Sequence, residues 1–136
     1  GRGMGLALAA ELNGYPGPMH VLELARSLNL SDSQRVKMQD LIDAMKAEAV
    51  KLGDQVIAAE AVLDRQFADK TATESGIYTA TQAIGDAQAK LRAVHLKYHL
   101  IVVDTLTARQ VQQYAELRGY SGHHKHDDQG VHRKQH

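Results

Sequence analysis

The fold is decided by residues 91–110, which read LRAVHLKYHLIVVDTLTARQ. Apolar residues recur in this stretch at steps of three and four, the period at which one face of an α-helix repeats. We expect that helix to end near Asp104, because Thr107 and Gln110 form an S/T-x-x-E/Q capping box, a pattern typical of a new helix start. Residues 91–110 therefore predict a long amphipathic helix followed directly by a short one.

The apolar stripe of this helix has a counterpart earlier in the chain. The earlier stripe starts after a second capping box, formed by Ser31 and Gln34, and the turn sequence KTATESG at residues 70–76 separates the two stripes. Neither stripe can remain in water, so we expect the two long helices to cover each other as an antiparallel hairpin. Gly53, within the first helix, is expected to allow close approach of the helices. The first stripe consists of Met38, Leu41, Met45, Ala49, Leu52, Val56, Ala59, Leu63 and Phe67, and the second of Ile77, Ala80, Ile84, Ala87, Leu91, Val94, Tyr98, Ile101 and Thr105.

These patterns predict an all-α fold in three segments. Residues 1–17 form an N-terminal segment with a short helix and a Gly/Pro turn. Residues 18–118 form the helical hairpin domain, which includes a short helix at about 18–28 and a final helix that ends at Gly119. Residues 119–136 carry five histidines and almost nothing apolar, so we expect them to form a disordered tail.

The composition excludes several classes of function. Sixteen basic residues balance sixteen acidic ones, and aromatic residues are scarce, so nucleic acid is not an expected partner. The absence of cysteine excludes thiolate metal sites and cysteine nucleophiles. No apolar run reaches the ~20 residues of a membrane span. None of the common catalytic or phosphate-binding motifs is present, so we expect no enzyme.

His95 and His99 are the strongest candidates for a functional site. They stand at i and i+4, a spacing that lets two imidazoles of one helical face bind a single ion. Imidazoles without thiolates suit Zn, Cu(II), Ni or Co. The alternative is that the pair forms an exposed polar edge of the helix, which the intervening Lys97 would fit.

Co-ligands for this pair can be proposed from the hairpin register. With the turn near residue 71 or 72, His95 lies opposite Glu48 and His99 opposite Ala44, which brings Asp43, Met45 and Glu48 within reach. A short helix folded back onto the hairpin could add His20 and Glu23. The candidate metal ligands are therefore His95, His99, His20, Glu23 and Asp43.

The paired motifs, Leu30-Ser31-x-x-Gln34 and Leu106-Thr107-x-x-Gln110, resemble the LTxxQ family of periplasmic proteins. That family includes the Spy/CpxP chaperones, the zinc-responsive ZraP proteins and the CnrX-type metal sensors. The resemblance covers about residues 18–118, and the first motif departs from the pattern by Ser for Thr. It implies a hooked helical hairpin that dimerises through its long helices and is exported to the periplasm.

The resemblance also implies where the ligands of a metal sensor would lie. In CnrX-type sensors the ligands come from three regions, which in this chain hold His20 with Glu23, then Asp43, then His95 with His99. The positions of these residues relative to the two motifs differ by about one residue from those expected of the sensors. The leading hypothesis is a periplasmic metal-binding stress or resistance protein. The alternative is an ATP-independent chaperone of the Spy/CpxP type that binds unfolded clients. An adaptor that docks on a signalling protein is a third class.

Overall fold

The computed structural model describes residues 6–120, and within them the chain is entirely helical. The predicted all-α hairpin is confirmed, since two long helices pack against each other and short helices flank them. Residues 121–136, which make up nearly all of the predicted tail, lie outside the described residues. The helices are α1 (Leu8–Leu12), α2 (Pro18–Glu23), α3 (Asp32–Ala68), α4 (Glu74–Thr105) and α5 (Ala108–Leu117).

The long helices begin where their capping residues predict. Ser31 caps α3: its side-chain oxygen accepts a hydrogen bond from the Gln34 backbone N–H. The Gln34 side-chain oxygen in turn accepts one from the Ser31 backbone N–H. Thr73 caps α4 in the simpler way, through its side-chain oxygen alone. These caps provide acceptors for backbone N–H groups that would otherwise lack partners at a helix start. They define where α3, of 37 residues, and α4, of 32 residues, begin.

The two capping boxes are in direct contact, although 76 positions separate their glutamines. The side-chain amide of Gln34 donates to Gln110 Oε1 at 2.8 Å, and that of Gln110 donates to Gln34 Oε1 at 3.1 Å. The Gln34 amide nitrogen also donates to the Thr105 carbonyl, and the Gln110 amide nitrogen also donates to the Leu28 carbonyl. This reciprocal pair joins the start of α3 to the start of α5 and closes the end of the hairpin opposite the turn.

The core lies at that same end, where α2 and α5 fold back onto the long helices. Among residues 6–120, no third helix covers the far half of the hairpin, and Phe67 and Tyr78 near the turn are 57% and 68% exposed. The two predicted stripes are therefore buried only in part. The core is formed by Val21, Ala25, Leu28, Leu30, Met38, Leu41, Met45, Tyr98, Val102 and Tyr114.

Two local expectations differ from the structure. Helix α2 ends at Glu23 instead of near residue 28, because the chain continues as turns to Asn29, which takes a left-handed φ of 53°. A Cβ added at Gly53 would meet nothing within 4 Å, so the expectation that this glycine allows close helix approach is wrong. A residue with a Cβ, such as alanine, would fit at position 53 without any shift of α4.

The described part of the N-terminal segment packs against the hairpin. Residues 6–17, called here the N-terminal strap, contain α1 and lie along α4. The carbonyl oxygen of Leu6 accepts a hydrogen bond from Arg92 Nε at 3.2 Å, and that of Tyr15 accepts one from His99 Nδ1 at 2.7 Å. Gly14 adopts a φ of 87°, a conformation that glycine enters freely, and turns the chain after α1.

Candidate functional site

His99 is buried beneath the N-terminal strap. Its side chain is 8% exposed, and its Nδ1 lies 2.7 Å from the Tyr15 carbonyl oxygen. A carbonyl can only accept, so Nδ1 must carry a proton and donate. In the neutral imidazole this leaves Nε2 unprotonated, the arrangement that metal-binding histidines commonly have when the other ring nitrogen is bonded to a backbone carbonyl.

The His99 ring packs against Gly17, where a larger residue would not fit. A Cβ at Gly17 would lie 2.9 Å from His99 Cε1 and 3.0 Å from Nε2, and 3.2 Å from Glu11 Oε2. Contacts that short require a neighbour to move. Glycine at this position therefore lets the strap, the imidazole and the Glu11 carboxylate share one small space.

Glu11 is the polar centre of this region, and the sequence patterns did not identify it. It is 2% exposed, yet both of its oxygens are bonded: Oε2 accepts from the Gly17 backbone N–H at 3.0 Å, and the Tyr114 hydroxyl donates to Oε1 at 2.8 Å. The Tyr120 hydroxyl also donates to Oε1, at 3.1 Å. Burial, and next the Glu11 charge, raise the pKa of Tyr114. The one signal in the sequence is an acidic residue within an otherwise apolar segment before the Gly/Pro turn.

His95 lies one turn before His99 and is partly buried. Burial of the imidazole, and next the neighbouring His99, lower the pKa of His95. Both effects disfavour the charged form, so His95 is neutral and retains a nitrogen lone pair at neutral pH. His95 therefore satisfies the protonation requirement for a metal ligand.

The proposed co-ligands on α3 lie in other contacts. Both oxygens of Glu48 accept from Lys97 Nζ, at 2.9 and 3.0 Å, and Oε2 also accepts from the Tyr98 hydroxyl. The Glu48 carboxylate is therefore already paired with a lysine and a tyrosine. Asp43 is exposed and accepts from the Gln39 side chain at 3.0 Å, while Met45 is buried in the core.

His20 and Glu23 form a pair of their own on α2. His20 Nδ1 lies 3.0 Å from Glu23 Oε1, and Arg118 Nη1 comes within 3.5 Å of the same nitrogen. The positive guanidinium opposes a second cation at this position. Across residues 6–120, no three histidine or acidic side chains are grouped so that they could hold one ion together.

Two apolar grooves lie on the surface of the hairpin. The larger, of about 850 Å³, runs between α3 and α4 and is closed at one side by Leu6. The smaller, of about 540 Å³, lies between the strap and α4. Ala93 and Leu96 line both grooves, so they are two parts of one apolar face. Ile57 at the larger groove is 68% exposed, and Leu100 at the smaller is 58% exposed.

Comparison with known proteins gives no relative for this chain. No family model, curated protein sequence or solved structure matches it. Among the helices of residues 6–120, none is both long enough and apolar enough to cross a membrane.

Proposed function

We propose that this chain binds exposed apolar segments of unfolded polypeptides, as an ATP-independent chaperone does. The observation that carries the proposal is the apolar face shared by the two grooves, with Ile57 and Leu100 exposed at its two ends. Exposed apolar surface of this kind is retained at sites of interaction. The activity needs no catalytic group, and the hairpin supplies the surface without a change of fold.

The shape of the grooves favours a polypeptide over a small molecule. Both are open along the protein surface, whereas small-ligand sites are concave enough to bury most of their ligand. Gly53 and Gly85 line the larger groove, and a Cβ at either would meet nothing within 4 Å, so bulky apolar side chains of a client have room to enter. Leu96, common to both grooves, would contact such a client at the centre of the face.

Substituting glutamate for Ile57 or Leu100 is expected to weaken client binding by about tenfold, since burial of a charge costs more than 1.4 kcal/mol. Both residues are exposed, so the fold should be retained. The measurement is light scattering of a chemically denatured client protein diluted into buffer with EDTA, across a titration of each variant. Val36→Glu is the matched control, because Val36 is 62% exposed on α3 and lines neither groove. Equal suppression by all three variants would contradict the proposal.

Metal binding by His95 and His99 is the second candidate function, and the Nδ1 bond to the Tyr15 carbonyl favours it. That bond places the proton of a neutral His99 on Nδ1 and leaves Nε2, which packs against Gly17, as the nitrogen for an ion once the strap moves. His95, one turn away, is held neutral. Zn, Cu(II), Ni and Co all accept two imidazoles, and water can complete the coordination. The two functions are compatible, because an ion bound to His99 would lie at the edge of the smaller groove.

Replacing His95 with alanine is expected to weaken the binding of Zn²⁺ or Ni²⁺ by about tenfold or more, because one of two imidazole ligands is lost. Isothermal titration calorimetry should use a chain that ends at Tyr120, since this removes the five tail histidines and keeps every described residue. His20→Ala serves as the control and is expected to bind as the unsubstituted chain does. If His95→Ala retained full affinity, the site would not be at this pair.

We further propose that the protein acts in the periplasm, as a homodimer. The resemblance of the two capping-box motifs to LTxxQ proteins supports this location, and the absence of cysteine is compatible with an exported helical domain. In a dimer, a second copy would cover part of the same apolar face, and a signalling protein could dock there as well. Light scattering coupled to size-exclusion chromatography gives the oligomeric state directly.

A further inference from the structure

The N-terminal strap is attached to α4 at two points on one face of that helix. Arg92 Nε donates to the Leu6 carbonyl at the start of the strap, and His99 Nδ1 donates to the Tyr15 carbonyl near its end. Arg92 and His99 are two helical turns apart, so they lie on the same side of α4. The strap therefore runs along α4 in the same direction as the helix, between these two bonds.

The strap lies on the apolar face described above and divides it. Leu6 forms one side of the larger groove, while Ala9 and Ala10 line the smaller one. Ala93 and Leu96 of α4 belong to both grooves. Without the strap, the surface from the larger groove to Leu100 would be one continuous apolar trough along α4.

The strap is a short segment held by limited apolar burial together with polar contacts, which suits a segment that can detach. Helix α1 has five residues and no side-chain cap, and a helix that short is not stable on its own. Within the strap, Ala7 and Pro16 are fully buried and Leu8 and Leu12 are half-buried, so the apolar area that holds it is limited but real. Its strongest attachment is Glu11, which receives hydrogen bonds from the hydroxyls of Tyr114 and Tyr120.

We propose that the strap is an intramolecular cover that competes with clients for the α4 face. The inference rests on the proposed function, because it concerns how the same surface is regulated. Opening of the strap is a local event that leaves the hairpin core intact. A client that needs the whole trough binds only the open form. Its apparent affinity is therefore the affinity of the open form multiplied by the fraction of molecules that are open.

Two variants test the strap in opposite ways: one displaces it and the other fixes it in place. Ala7→Lys places a long charged side chain at a site that is 1% exposed, which displaces the strap without altering α4. Val36→Lys is its control, since it adds the same charge at an exposed position that lines neither groove. The double variant Ala10→Cys/Ala93→Cys fixes the strap when oxidised, and its reduced form is an internal control because the natural chain has no cysteine.

The probe is a fluorescein-labelled peptide of alternating Leu and Ser residues, with binding to the full chain followed by fluorescence anisotropy. We expect Ala7→Lys to bind the peptide about three- to tenfold more tightly than the unsubstituted chain or Val36→Lys, because it increases the open fraction. The oxidised double variant should bind more weakly than its reduced form by a similar factor. Mass spectrometry confirms the disulfide by the loss of two hydrogens.

Failure of the inference and failure of the proposed function give different results. If the unsubstituted chain binds the peptide and neither displacement nor fixing of the strap changes the affinity, the strap is not a cover and the inference is overturned. If no form of the protein binds the peptide or suppresses client aggregation, the proposed function fails, and the inference fails with it. Tighter binding by Ala7→Lys together with weaker binding by the oxidised form supports the inference.

Discussion

Replacing Gln110 with alanine is expected to lower the free energy of unfolding by about 2–4 kcal/mol. The Gln110 side chain is buried and takes part in four hydrogen bonds, two as donor and two as acceptor. Its amide nitrogen donates to Gln34 Oε1 and to the Leu28 carbonyl, and its Oε1 accepts from Gln34 and from the Thr107 backbone. Alanine removes the bonds to the Leu28 carbonyl and the Thr107 N–H and one bond at each end of the Gln34 amide, in a place that water reaches poorly, and that desolvation is the main cost.

Urea denaturation followed by circular dichroism measures this effect, and the midpoint should fall while the slope of the transition is unchanged. Gln112→Ala is the matched control, because Gln112 is exposed on the same helix and is expected to change stability by no more than about 0.5 kcal/mol. The double variant Gln34→Ala/Gln110→Ala should cost less than the sum of the single variants, since the two amides bond each other. Additive single effects would show that the amide pair is not an energetic unit.

The amide pair also shows how far the sequence determines the fold. Each capping box could be predicted by itself, because Ser31 with Gln34 and Thr107 with Gln110 act within one turn of helix. The contact between the boxes could not be predicted, because it depends on how the hairpin brings positions far apart in the chain together. Local hydrogen bonding fixed where α3 and α5 begin, and tertiary packing then gave their glutamines a second set of partners.

Helical periodicity predicted the hairpin but not the extent of its burial. Met38 and Met45 are buried as expected, whereas Phe67, on the same stripe, is more than half exposed. The period of a stripe reports which face of a helix is apolar, and burial requires another element to cover that face. Helices α2 and α5 provide such cover at one end only, and nothing in the stripe itself distinguishes its two halves.

The candidate site was predicted in part. The pair His95 and His99 was identified by spacing, but the bond from His99 to the Tyr15 carbonyl joins segments more than eighty positions apart. The partners of Glu48 could not be obtained from the position of the turn, since its contacts with Lys97 and Tyr98 are set by side-chain packing. Glu11 carries no motif, and its importance comes entirely from its surroundings.

Replacing Glu11 with alanine is expected to destabilise the protein by about 3 kcal/mol, the size of effect seen when a buried polar network loses its central member. The Tyr114 hydroxyl, which belongs to a side chain only 2% exposed, would lose its acceptor. The Gly17 backbone N–H would lose its partner as well. A small cavity would remain where the carboxylate and its methylenes were, and this adds to the cost.

Glu11→Gln separates the charge of this group from its size. Glutamine fills the same space and its oxygen can accept from one tyrosine, but its amide nitrogen cannot accept from the other donors. We expect a smaller loss of about 1–2 kcal/mol for this variant. Glu116→Ala is the control, since Glu116 is exposed on α5 and should change stability by no more than about 0.5 kcal/mol.

The same urea titrations decide whether Glu11 attaches the strap to the core. If Glu11→Ala were as stable as the Glu116→Ala control, the carboxylate would contribute nothing net, and its desolvation would cancel its hydrogen bonds. If instead Glu11→Ala is destabilised and Tyr114→Phe loses about 1–2 kcal/mol, the two residues stabilise the fold through the bond they share. The double variant then costs less than the two single variants together, because the second substitution removes a bond that the first has already broken.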